Sequence, residues 1–406
     1  MTKAARAARR EWRRSLRTGG LAAAALLAVF VLGRGGGALG GGSDAQGCAQ
    51  PRGGAAGGAP GSPAPMPPEP GATSGAAPAV DLGRMTVHVY DVGQASAALV
   101  DLPDGRHVLV DAGDDPDRHA CGDACGRANG HLLERLHADL RGAPIDLLWI
   151  THPHSDHLGG APSVLAAFRV GTLVDDGRDA HKAEVRVVRR AADQHGVPVR
   201  VVDPEHTELP LAPSGIGALR AVVPSAWPPA CAHDPNACSI GLRVDYRGSS
   251  VLFTGDAEHE EERLLDPGGP VTLLLVGHHG SDTSTSPALL ARAHPRYAVV
   301  SAGKPGEGMN AEYCLPRVEI VRRLTRVLDA HAADAGGAGE RAPDERAPGP
   351  RPLRAFDGDR CDRATAADWV DVPASSRLWA TSRDGDVVLT TTGDGVFERA
   401  TAARSP

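Results

Sequence analysis

The stretch THPHSDHLGG, residues 151–160, sets four metal-ligating side chains, His152, His154, Asp156 and His157, within six residues. Imidazole and carboxylate at this density suit zinc or a similar divalent ion. The stretch directly follows IDLLWI, residues 145–150, a nearly continuous apolar run of the kind found in a strand covered on both faces. In an extended loop, residues two apart point the same way, so His152 and His154 can share one ion. Asp156 and His157 then face a neighbouring one. Gly159 and Gly160 let the backbone turn tightly into a following helix.

Two other stretches supply partners. In VLFTGDAE, residues 251–258, Asp256 ends a buried strand just after Gly255. A carboxylate there is costly unless paired or metal-bound, and it is a natural bridge between two ions. Its competing role is to cap the helix that follows. In VGHHGSDTSTS, residues 276–286, His278 and His279 end the next apolar run. One completes the second metal site, and the other faces the substrate as hydrogen-bond donor or general acid. The residues alone leave open which does which. Ser286 before Pro287 reads as a helix N-cap.

Outward from these motifs, residues 85–93 read as a strand, and the segment after it as a hairpin turning at Asp104-Gly105. Helical spacing of Leu132, Leu133, Leu136 and Leu140 predicts a helix over 129–140. A helix (161–168), the strand GTLVDD, a helix near 181–194 and the strand VRVVD follow. The second half repeats the style. It has a hairpin turning near Arg247-Gly248, a short helix (258–265), the strand VTLLLVG, the helix SPALLARAH, the strand RYAVVSAG and a helix from Pro316 to His331. RLWATSRDGDVVLTTTG reads as a closing hairpin turning at Asp384-Gly385. Two β-rich halves with helices outside predict two sheets packed face to face between helical layers.

The flanks differ in kind. Arg6, Arg9, Arg10, Arg13, Arg14 and Arg17 precede the apolar run of residues 21–33, so residues 1–33 read as a signal peptide or membrane anchor. Residues 34–83, rich in Gly, Ala and Pro, lack the apolar side chains needed to offset ordering entropy and read as a disordered tether. The domain proper spans 84–400, with a flexible insertion near 333–365. Cys121 and Cys125, Cys231 and Cys238, and Cys314 and Cys361 form candidate disulfides, leaving Cys48 over, a pattern suited to an oxidising compartment. A zinc clip at Cys121 and Cys125 would have only two thiolates. The formal charge of −7 gives no global basic field to gather nucleic acid. Arg186, Arg189 and Arg190 are a local basic cluster that reads either as a groove wall or as a solvated helix face.

Taken together, YDVGQASAALVDLPDG, VLVDAG, ITHPHSDHLGG, NACSIGLRV, VLFTGDAE, GHHGS and DGDVVLTTTGDG resemble the metallo-β-lactamase superfamily. Within it they resemble the nuclease-like domain of the competence, or DNA-uptake channel, family. The resemblance covers about Met85 to Gly395. It implies an α+β fold, the αββα sandwich of two mixed sheets between helical layers. It also implies two divalent metal ions, zinc or alternatively manganese, and hydrolysis of a phosphoester by a metal-bound hydroxide. Carried over by motif, His152 and His154 bind one ion. Asp156, His157 and one of His278 and His279 bind the other, Asp256 bridges, and Asp111 orients a ligand histidine. The implied substrate is a small phosphoester or nucleic acid. Other esters, such as phosphorylcholine compounds or lactones, and a non-catalytic metal-binding module are the alternatives. The implied location is exported, with membrane contact through the N-terminal segment if it is uncleaved.

Three departures stand out. The many spanning helices of an uptake channel have no counterpart in this sequence, so the likeness is to a stand-alone domain. A further histidine that many members carry for the first metal is replaced in AHDPNACSIGLRV, where His233 is a candidate and Asn236 and Ser239 are the matching polar residues. A Gly-His-Pro of relatives is replaced by a segment with Leu315 before Pro316, leaving Tyr313 or Lys304 to contact an anion.

Overall fold

The computed structural model describes residues 83–211, 217–335 and 351–400. The N-terminal apolar run, the Gly-rich tether and Cys48 lie outside the described residues. Among the described residues no helix is long and apolar enough to cross a membrane.

The first half contains β1 (Met85–Val89), β2 (Ala98–Asp101), β3 (His107–Val110), helix α1 (Ala124–Leu140), β4 (Ile145–Trp149), α2 (Ser155–Leu158), α3 (Ala161–Ala167), β5 (Val170–Asp175), α4 (Ala183–Gln194) and β6 (Val199–Val201). The second half continues with β7 (Ala218–Val222), β8 (Gly241–Tyr246), β9 (Ser249–Phe253), α5 (His259–Glu262), β10 (Leu273–Leu275), α6 (Pro287–Ala293), β11 (Tyr297–Val300), α7 (Asn310–Tyr313) and α8 (Val318–Ala335). Then come β12 (Leu353–Phe356), β13 (Trp369–Val372), β14 (Leu378–Ala380), β15 (Val387–Thr391) and β16 (Glu398–Arg399).

One sheet has the order β16-β15-β1-β2-β3-β4-β5-β6 and the other β14-β11-β10-β9-β8-β7. Both are mixed: β3 to β6 run parallel in the first, and β9, β10, β11 and β14 run parallel in the second. Alternate residues of each strand serve different layers. Val87, Val89 and Trp149 of the first sheet meet Leu242, Val251, Phe253 and Val299 of the second in a shared core. Leu99, Leu109, Leu148 and Leu173 point outward under Leu132, Leu136 and Leu140 of α1 and Val185 and Val188 of α4. Leu252, Leu274 and Ala298 point outward under Leu290 of α6 and Ile320, Leu324 and Leu328 of α8. The result is the expected αββα sandwich, and burial on both faces explains the unbroken apolar runs of β4 and β10.

Two readings change. Residues 377–393 are not a hairpin: β14 pairs with β11 in one sheet, β15 pairs with β1 in the other, and a helical turn at Thr381–Asp384 carries the chain across. Asp-Gly favours a tight turn but does not by itself join two paired strands. The Asp384 side chain is fully buried, bonded to Arg351, Arg383 and Arg399 and accepting from the backbone N–H of Ala380 at 3.0 Å. Of the stretch read as an insertion, residues 353–356 form β12, paired with β13, and the Cys314–Cys361 bridge ties the segment after β12 to the residue following α7. The other described cysteines pair as Cys121–Cys125 and Cys231–Cys238, so Cys121 and Cys125 are bonded to each other and do not form a zinc clip.

Candidate functional site

The strand order delivers the motifs to one edge. Asp111 follows β3, the 151–160 loop follows β4, Asp256 follows β9, His278 and His279 follow β10, and Ser301 follows β11. Carboxyl ends of parallel strands in both sheets therefore face the same opening. Glycine makes the close approach feasible: a Cβ at Gly160 would overlap the Ala112 carbonyl, and one at Gly255 (φ +56°) would lie 2.8 Å from Thr151 Cβ. Three ligand-region residues other than glycine, Asp111, His278 and His279, take left-handed backbone angles (φ 58°, 47° and 51°). Such conformations are costly for a side chain with a Cβ and concentrate at functional sites.

Asp256, 3% exposed, is the hub. Its Oδ1 lies 3.3 Å from His157 Nε2, and its Oδ2 lies 3.8 Å from His152 Nε2, 3.8 Å from His279 Nε2 and 3.6 Å from His278 Nε2. Asp156 Oδ2 is 3.4 Å from His279 Nε2. Donor atoms of Asp156, His157, Asp256 and His279 all fall within 4.8 Å of one another. On the other side of Asp256, His152 Nε2 and His154 Nδ1 are 3.1 Å apart. The structure thus brings together His152, His154, Asp156, His157, Asp256, His278 and His279. It also separates the two adjacent histidines. His279 is buried, its Nδ1 donating to the Ser301 carbonyl at 2.8 Å and its Nε2 turned to the cluster. His278 is partly exposed, with Nδ1 3.0 Å from Thr283 Oγ1 and Nε2 3.4 Å from Asn236 Nδ2.

The outer partners are fixed too. His157 Nδ1 donates to Asp111 Oδ2 at 2.7 Å, and Asp111 Oδ1 accepts from the backbone N–H of Thr151 at 2.8 Å. Ser155 Oγ donates to Asp114, steadying the loop between His154 and Asp156. Ser239 Oγ accepts from the backbone N–H of Asp256 at 3.0 Å, so Ser239 supports the hub.

Charge follows geometry. Burial disfavours the cationic form of His157, but the carboxylates of Asp256 and Asp111 outweigh it and hold this imidazole well above its ordinary pKa. His279 is likewise raised against burial by Asp256 and Asp156. Burial, with His157 adding to it, pushes His152 well down, and burial lowers His154. Burial opposes ionisation of Asp156 and Asp256, yet the surrounding imidazoles keep both below the ordinary carboxylate range.

The donor set fits a pair of divalent ions. His157 Nε2 and His279 Nε2 face each other at 3.2 Å, and His152 Nε2 and His154 Nδ1 at 3.1 Å, and a cation between such nitrogens satisfies both. Asn236 lines the site in place of the third imidazole that many relatives carry for the first ion. His233 is exposed and outside the residues lining the site, as are His119 and Lys304. Arg189 is spent on Asp175, at 2.9 and 3.0 Å, pinning α4 to β5.

An open cleft of about 400 Å³ leads to the ligands, lined also by Gln94, Arg118, Lys182, Glu184 and Tyr313. Gln94 and Arg118 escaped the sequence reading. The one signal for Gln94 was its place in YDVGQ, and Arg118 had none.

Residues 90–304, just over half of the chain, match the family model described as Metallo-beta-lactamase superfamily. The chain is 29% identical over 248 residues to Recombination protein 2 of Haemophilus influenzae, covering 60% of this chain and 27% of that protein. It is 29% identical over 257 residues to ComE operon protein 3 of Bacillus subtilis, covering 59% and 30%. It is 31% identical over 150 residues to Ribonuclease Z of Mycobacterium avium, covering 32% and 50%. The chain spans less than a third of the length of the first two relatives. With the sandwich, the ligand set and the matched sequence in agreement, the chain belongs to the metallo-beta-lactamase superfamily.

Proposed function

We propose that this chain is an exported or membrane-anchored, metal-dependent phosphodiesterase, with nucleic acid among its substrates. The observation that carries the reading is the convergence of His152, His154, Asp156, His157 and His279 on Asp256 at the floor of an open cleft. His152 and His154 would hold one cation, Asp156, His157 and His279 the other, and Asp256 would lie between them. Two bound cations supply polarisation of the phosphoryl oxygen and a water of near-neutral pKa. Asp111 keeps His157 in the tautomer that turns Nε2 to the site. His278 reaches the cleft with one ring nitrogen and is the group that can hand a proton to the leaving oxygen. Seryl attack is not needed: Ser284 Oγ donates to the Ala257 carbonyl, and Ser286 Oγ caps α6 at Leu289 N.

Similarity to Ribonuclease Z and to the competence-associated proteins favours a phosphodiester over other esters. Export is supported by the basic-then-apolar N-terminus and by three cysteine pairs. The test is metal content of the purified chain, together with turnover of bis-p-nitrophenyl phosphate, plasmid DNA and p-nitrophenyl phosphorylcholine. Two ions per chain with chelator-sensitive cleavage of the first two is expected. A chain free of metal and indifferent to chelator would sink the enzymatic reading. Turnover of the choline ester alone would move the substrate class.

A further inference from the structure

One wall of the cleft is built of hydrogen-bond donors that the metal ligands do not use. Gln94 is 5% exposed and lines the cleft. Its Oε1 accepts from the backbone N–H of Gly303 at 3.0 Å, which fixes the amide orientation and leaves Nε2 as the other end. That nitrogen is buried and has no hydrogen-bond partner among the described residues. A buried amide donor without an acceptor is costly unless something else accepts from it.

Two more donors stand on the same wall. Arg118 donates through Nη1 to Asp114 at 2.9 Å and through Nη2 to the Tyr313 hydroxyl at 3.1 Å. Because that hydroxyl accepts from arginine, its own proton is directed away from it. Tyr313 is 41% exposed at the cleft. The three side chains are mechanically joined. Gln94 holds Gly303, and Asn310 ties Gly303 to Leu315 by bonds of 2.7 and 2.7 Å, bracketing Tyr313. Disulfides secure both ends: Cys121–Cys125 follows Arg118, and Cys314, next to Tyr313, is bridged to Cys361. The wall also touches the metal loop, since Ser96 N–H donates to the Asp156 carbonyl at 3.0 Å and Asp114 holds Ser155.

We propose that Gln94 Nε2, the Tyr313 hydroxyl and the Arg118 guanidinium form an anion subsite. It takes the phosphate adjacent to the scissile one, and so selects a diester carrying a second phosphate on one side. This rests on the phosphodiesterase reading and adds to it where the substrate lies. A guanidinium with one edge on a buried carboxylate keeps donors for a phosphate oxygen, and an amide N–H and a phenolic O–H add two more.

The experiment compares the dinucleotide TpT with TpT bearing a terminal phosphate at its 5′ or 3′ end. For the wild type, kcat/KM for one phosphorylated form exceeds that for TpT by about ten-fold or more, mainly through KM, the size of one hydrogen bond to a charged group. In Tyr313→Phe and in Gln94→Glu, which keeps the acceptor for Gly303 while losing the amide donor, that ratio collapses toward one and metal content is unchanged. Arg118→Lys keeps the charge without the fork and retains part of the preference. Calorimetry on the chelator-treated chain reads the subsite without hydrolysis: the same phosphorylated dinucleotide binds more tightly than TpT to wild type and not to Gln94→Glu. If binding shows the preference while nothing is cleaved, the subsite stands and the hydrolytic reading fails. If the three dinucleotides are cleaved and bound alike, or if both variants keep the preference, the subsite is overturned.

Discussion

His157 Nδ1 donates to Asp111 Oδ2 at 2.7 Å while the opposite nitrogen, Nε2, sits 3.3 Å from Asp256 Oδ1. One hydrogen bond therefore sets which nitrogen is offered to a cation. Asp111→Asn tests it. Asparagine tolerates the left-handed backbone at position 111 and can still accept from Thr151 N–H. Its amide N–H₂ would then face the His157 N–H, donor against donor, and push the imidazole toward the wrong tautomer. Metal affinity should fall about 10- to 100-fold. Competition against a chelating dye measures it, and unchanged affinity would refute the orienting role.

The two adjacent histidines should separate in the same assay. His279 is buried with Nε2 inside the donor cluster, whereas His278 keeps one face toward the cleft. Both positions have positive φ, so His278→Asn and His279→Asn disturb the backbone less than alanine. His279→Asn should lose roughly one ion per chain. His278→Asn should retain its metal and lose about 10²- to 10⁴-fold in kcat, the usual contribution of a general acid. Equal metal loss in both variants would abolish the division.

Asp156→Ala removes a ligand candidate without removing core packing. Its side chain is partly exposed and its neighbours are polar, so the melting temperature of the metal-free chain should move little. Turnover should fall below detection. Undiminished turnover of bis-p-nitrophenyl phosphate in this variant would contradict the mechanism.

What the sequence made legible was local. Spacing within THPHSDHLGG, the close cysteine pairs and unbroken apolar strands are short-range features, and each has a direct physical consequence. Which of His278 and His279 turns inward depends on two successive left-handed residues that no periodicity announces. The Arg118–Tyr313 bond joins residues 195 positions apart, through a loop whose course is set by Gly303 and Asn310. The false hairpin at Asp384-Gly385 arose from judging a turn by its dipeptide, when three arginines had made that aspartate a buried structural charge.

Metal uptake should depend on pH with a definite sign. In the metal-free chain, against the effect of burial, Asp256 and Asp111 raise His157, and Asp256 and Asp156 raise His279, so both imidazoles hold a proton more firmly than a free one. A cation must displace such protons, so affinity weakens as pH falls and binding near pH 7 releases protons. Calorimetric titration with zinc in two buffers of different ionisation enthalpy counts them. At least one proton per chain is expected at pH 7, and none would mean that His157 is already neutral.

Asp176 offers a test of the fold independent of the metal ligands. It is 5% exposed, Oδ1 accepts from the backbone N–H of Arg178 at 3.0 Å, and Oδ2 is buried with no partner among the described residues. Burial, reinforced by Asp175 and Asp179, raises its pKa from 3.8 to about 7. A raised carboxyl acts oppositely to a salt-bridged one. Below pH ~4 both folded and unfolded chains hold the proton and there is no penalty. From there to about 7 the unfolded chain ionises while the native state keeps its proton, so stability declines, and above 7 the penalty is complete. Asp176→Asn keeps the acceptor for Arg178 and cannot ionise. At pH 8 the variant should melt on the order of 5 °C above wild type, and the gap should close as pH approaches 4. Scanning calorimetry of both proteins across that range measures the gap, and a difference independent of pH would show that Asp176 is not carrying this charge penalty.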